Sequence, residues 1–80
     1  MAETYKFRGR DITEKFNAMV DGVVALLVKQ LNITEGDARQ MFLDSKTFSE
    51  LENTETGFWA GTAEYIVDYY FEEIGIQNRM

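Results

Sequence analysis

Between Phe16 and Leu31 the apolar residues recur at spacings of three, four and one: Phe16, Met19, Val20, Val23, Val24, Leu27 and Leu31. That is one face of a helix. Leu26 and Val28 widen the face almost to a full circle around residues 23–28. A band of that width predicts a helix central to its fold or buried in an oligomer. Asp11 is the expected cap, with Glu14 three residues on as in a capping box, and Asn32 is the expected end. Gly22 and the β-branched pair Val23 and Val24 lower helix propensity locally, so a strand there is the minority alternative.

Three further helical segments follow. Thr34 is an expected cap with Asp37 at the third helical position, and Ile33 is placed to staple onto Ala38. Ala38, Met41 and Phe42 form the apolar face of this short helix, which should end near Ser45. Thr47, Phe48, Ser49 and Glu50 read as another capping box with Leu51 inside, enough for one or two turns. Residues 53–57 are a polar turn by composition, expected to deliver Trp59 back to the core after Phe58. Thr62 is the expected cap of the last helix and Gly75 its C-terminal stop. Within it Tyr65, Ile66, Tyr69, Tyr70 and Ile74 are expected to share a face.

Residues 4–10 alternate instead, with Tyr5 and Phe7 on one side of an extended chain and Lys6 and Arg8 on the other, until Gly9. This is a short strand or arm, or a loose terminus whose rings pack on a helix. A lone strand would need a ladder partner from elsewhere. The expected fold is all-α, a three- to four-helix domain with the first helix at its centre. Its expected limits are an N-terminal arm at 1–10, a helical domain at 11–75 and a disordered tail at 76–80.

The chain has 80 residues, enough for one domain of marginal stability. It contains no Cys, His or Pro. A disulfide framework, a thiolate nucleophile and the usual general base are thereby excluded. Eight basic against fourteen acidic residues give a net charge of −6. Residues 1–32 carry five basic and four acidic groups, and residues 33–80 carry three and ten. The acidity belongs to the second half and opposes a nucleic-acid backbone as the main ligand. Lys6, Arg8, Arg10 and Lys15 beside Tyr5 and Phe7 would suit a single strand, but the second half repels it. The first residues are polar with no secretory h-region, and the apolar run 23–28 is far short of the roughly 20 residues of a spanning helix. A cytoplasmic location and no membrane partner are the expectations.

Catalytic constellations are not found in the pattern. Ser45 and Ser49 have no histidine to activate them, and Lys46, next to Ser45, points about 100° away in a helix. Glu72 and Glu73, or Glu50 and Glu52, read as surface acidity rather than an acid/base pair. Asp44, Glu50, Glu52 and Glu55 lack the order of a calcium loop, and no glycine-rich phosphate loop ends in the required Lys. The expectation is no catalytic residue, no metal and no cofactor. Protein binding remains. Six rings, Phe58, Trp59, Tyr65, Tyr69, Tyr70 and Phe71, lie within fourteen residues. Positions 69–71 span about 200° of arc and cannot all face one core.

The segments Asn32-Ile33-Thr34…Ala38…Phe42, Ser45-Lys46-Thr47-Phe48…Leu51, Glu55-Thr56-Gly57-Phe58-Trp59 and Tyr65-Ile66-x-Asp68 together resemble a family of short bacterial proteins of the domain-of-unknown-function kind. The resemblance covers about residues 16–74 and leaves out the basic arm. Members of that kind occur beside genes for toxin-like proteins, so the resemblance implies an antitoxin or immunity role and no catalytic residues.

The expected function is therefore a non-catalytic binding module that neutralises a protein partner. Its expected contact stripe is Tyr65, Asp68, Tyr69 and Glu72, recurring at three and four, with Ile66, Tyr70 and Ile74 left for the core. The acids would steer a basic surface. Two alternatives stand beside it. One is a phage-type inhibitor of a bacterial defence enzyme, using the acids at 44–55 as a mimic of nucleic-acid charge. The other is a structural homodimer closed by the wide apolar face of the first helix.

Overall fold

The computed structural model describes residues 4–75. Four α-helices follow a two-stranded hairpin: β1 (Lys6–Phe7), β2 (Arg10–Asp11), α1 (Thr13–Leu31), α2 (Glu35–Leu43), α3 (Lys46–Glu52) and α4 (Ala63–Ile74). Two 3₁₀ turns, Thr54–Thr56 and Phe58–Ala60, bridge α3 to α4. The fold is the small, mostly helical domain expected, and the expectation for 76–80 falls outside the described residues. Among the described residues no single helix is long and apolar enough to cross a membrane.

α1 occupies the centre, packed against α2 and α4. Phe16, Met19, Val20, Val23, Val24 and Leu27 are its buried positions, the face its spacing predicts. The wider band that suggested an oligomer is covered largely within the chain: Leu26 and Val28 are half-buried against the same core. Gly22 costs helix propensity but lets α4 approach closely, since a Cβ there would lie 3.2 Å from the Cβ of Ala63. The helix ends at Asn32, whose left-handed φ of 59° turns the chain while its N–H bonds the Val28 carbonyl.

The capping signals fall into two groups. Thr34 and Thr62 act as read, each hydroxyl accepting the N–H three residues on. Two others differ. α1 starts after Ile12 rather than at Asp11, because Asp11 belongs to β2 and its carboxylate accepts the Thr13 N–H across a tight turn. The cap of α3 is Ser45, not Thr47: the Ser45 hydroxyl accepts the Phe48 N–H at 3.0 Å and donates to the Phe42 carbonyl at 2.6 Å.

The alternating arm finds its ladder partner in the next four residues. β1 and β2 pair antiparallel, Lys6 with Asp11 and Phe7 with Arg10. The two linking residues, Arg8 and Gly9, both have positive φ, 53° and 84°. That is the backbone of a primed turn matching strand twist, although Arg is an unfavourable choice for its first position. The hairpin is anchored to the helices. The Tyr5 ring stacks on Phe16 at 3.8 Å, the Tyr5 hydroxyl donates to Glu52, and the Thr54 hydroxyl donates to the Lys6 carbonyl.

Candidate functional site

α4 divides its surface sharply. Ile66, Val67, Tyr70 and Phe71 are buried in the core. Tyr65, Asp68, Tyr69 and Glu72 all lie on the exposed side, with Tyr65 51% and Tyr69 43% exposed. The four residues of the expected stripe are thus brought together on the face that the core does not use. Ile74, expected inside, is 40% exposed instead. The core positions run 66, 67, 70 and 71, so the buried arc ends one turn before residue 74.

A fifth residue joins the stripe. The left-handed turn at Gly57, φ 81°, carries Phe58 under α4. Its ring lies 5.0 Å from that of Tyr69 and 6.0 Å from that of Tyr65, while Tyr65 and Tyr69 are 5.6 Å apart. The three rings meet tilted or edge to face, the favoured arrangement for aromatic pairs. The sequence set Phe58 and Trp59 side by side as an aromatic pair and sent only Trp59 to the core. Both follow the left-handed Gly57 in one 3₁₀ turn, and their rings leave that turn toward different neighbours. Trp59 goes the other way, and its intermediate exposure, against the edge of the core, agrees with the expectation that it is mostly buried. Its ring packs on Phe7 at 5.2 Å and its indole N–H donates to the Thr54 carbonyl at 2.8 Å.

Glu73 has a role that sequence reasoning missed. A carboxylate in the last turn of a helix is unfavourable to its own helix. This one reaches across to the start of α3, where it accepts the Lys46 N–H, the Thr47 N–H and the Thr47 hydroxyl at 2.8, 2.8 and 2.7 Å. It satisfies the donors that a helix start leaves open, and meets the positive end of the helix dipole. Burial pushes its pKa up. The Thr47 hydroxyl and the two backbone N–H groups outweigh that and hold it below the ordinary carboxylate range. Tyr70, behind it, is pushed up by burial and then by the Glu73 charge.

Between the start of α3 and the last turns of α4 lies an open groove of about 600 Å³, lined by Lys46, Thr47, Glu50, Tyr69, Glu72 and Glu73. It continues from the exposed stripe, since Tyr69 and Glu72 belong to both. The carboxylates of Glu50 and Glu72 make no hydrogen bond or ion pair among the described residues, whereas that of Glu73 is fully engaged. No three described carboxylates converge in a way that could hold a metal ion. The Ser45 hydroxyl is committed to the α3 cap on both sides, which leaves it unsuited as a nucleophile.

Comparison with protein-family models, with curated proteins and with solved structures returned no match to this chain.

Proposed function

We propose that the protein is a small, acidic, non-catalytic binding module whose outer α4 face engages a basic protein partner, in the manner of an antitoxin or immunity protein. The observation that carries this reading is the packed trio Phe58, Tyr65 and Tyr69, flanked by Asp68 and Glu72 on a face the core leaves open. Rings that already support one another lose little freedom on binding and bring large contact area. Carboxylates beside them orient a basic surface and speed encounter.

The test is a double charge reversal, Asp68→Lys with Glu72→Lys. Exposed charges contribute little to stability, so the urea midpoint should stay nearly unchanged. Capture of basic partners from a bacterial lysate, identified by mass spectrometry, should fall about tenfold or more, about 1.4 kcal/mol. Undiminished capture of the same partners by the folded variant would remove α4 as the contact surface.

A further inference from the structure

The groove beside the stripe has a composition that narrows what the partner must present. One wall is the Tyr69 ring, held in place by Phe58 and Tyr65 at 5.0 and 5.6 Å. Two carboxylates that make no ion pair among the described residues, Glu50 on α3 and Glu72 on α4, line it with that ring. Glu73 completes the lining, but its three hydrogen bonds to residues 46 and 47 fix its position. It adds negative potential without being able to swing out. Lys46 is the single cation of the lining among the described residues.

We infer that this groove receives an arginine side chain of the basic partner. The inference rests on the binding role proposed for α4 and extends it to α3. A guanidinium is planar, stacks on an aromatic face and forks hydrogen bonds toward two carboxylates at once. The groove offers that combination, a ring wall plus two unengaged carboxylates on different helices. A lysine ammonium is a compact, strongly hydrated point charge that uses the carboxylates but gains less from the ring. A metal ion is disfavoured because no three described carboxylates converge. At about 600 Å³ the groove is large enough for the whole side chain and the backbone that carries it.

The experiment is an NMR titration of the full chain with a capped hexa-arginine peptide and, separately, its hexalysine counterpart. The arginine peptide is expected to shift amides at 46–50 and 69–73, and to bind about threefold or more tighter than the lysine peptide. Glu50→Gln and Tyr69→Leu should each weaken it several-fold, roughly threefold to tenfold, while Tyr69→Phe, which keeps the ring, stays within about twofold. Glu50 is exposed and outside the core, so its variant carries the test if Tyr69→Leu perturbs the fold. Equal binding of both peptides together with an inert Tyr69→Leu would overturn an arginine site. Shifts confined to 65–72, with 46–50 silent and Glu50→Gln inert, would overturn the groove and leave the α4 stripe standing. No response on α4 to either peptide would overturn both.

Discussion

Two groups of rings meet at α4 with nearly the same geometry and opposite fates. The inner group, Phe16, Phe42, Phe48 and Tyr70, has centroids 5.5 to 6.1 Å apart. The outer group, Phe58, Tyr65 and Tyr69, has centroids 5.0 to 6.0 Å apart. Phe16, Phe42 and Tyr70 are 2% exposed or less, while Tyr65 and Tyr69 keep about half their surface in water. Ring–ring contact is common to both groups and does not decide which rings the core encloses. What separates them is whether helices close over the rings. α1, α2 and α3 surround the inner group, and only the short turn at Phe58 supports the outer one.

The sharpest way to break the comparison is truncation on each side. Phe42→Ala should destabilise by about 3–5 kcal/mol and Leu27→Ala by about 2–5 kcal/mol in urea melts, since both are fully buried. Tyr65→Ala should cost less than about 1 kcal/mol, because much of its surface is already hydrated. A loss of several kcal/mol at Tyr65 would make the outer rings part of the core.

How much of this was legible in the sequence depends on how far each signal reaches. The face of α1 and the caps Thr34 and Thr62 were readable because periodicity and capping act within a turn or two. The stripe at 65, 68, 69 and 72 was readable for the same reason. Thr47 was misread because a Ser two residues earlier offers the same hydroxyl, and local chemistry does not rank the two. Glu73 was read as solubilising acid because its partners lie at least 26 residues away. The short strand was legible as one of the open readings, but its partner at 10–11 was not, because Arg-Gly is a weak turn signal where Asn-Gly is a strong one.

A second prediction bears on the element that ties the two faces of α4 to α3. Glu73→Ala removes three charge-assisted hydrogen bonds and should cost about 1–3 kcal/mol at neutral pH. The folded pKa of Glu73 is lowered, so its contribution is present above the unfolded value near about 4.3 and is lost as pH falls through the folded one. Chemical denaturation across pH 7 to 2 should therefore show the gap between wild type and variant closing on the acid side. A gap independent of pH would mean that the carboxylate charge contributes nothing to the α3 cap.

The smallest effects concern the hairpin and its ring contact with Trp59. Arg8→Asn suits a positive φ better and should stabilise by about 0.5–1 kcal/mol in a thermal melt, provided the Arg8 stacking on Phe7 at 5.0 Å contributes little. Trp59 is half-buried, so its fluorescence maximum should shift only modestly to the red on unfolding, and acrylamide should quench it in the native state. Full protection from the quencher would place Trp59 with the inner rings.

The Glu73 contact also sets an order on how the chain closes as it is made from its N-terminus. Ser45 can cap α3 as soon as Phe48 is present, but the open N–H groups of residues 46 and 47 wait for a carboxylate 26 or 27 positions later. α4 thus completes the start of α3. A nascent chain released before residue 73 would carry the hydroxyl caps Thr34, Ser45 and Thr62 but an unfinished α3, exposing its helix start and part of the core to other chains during synthesis.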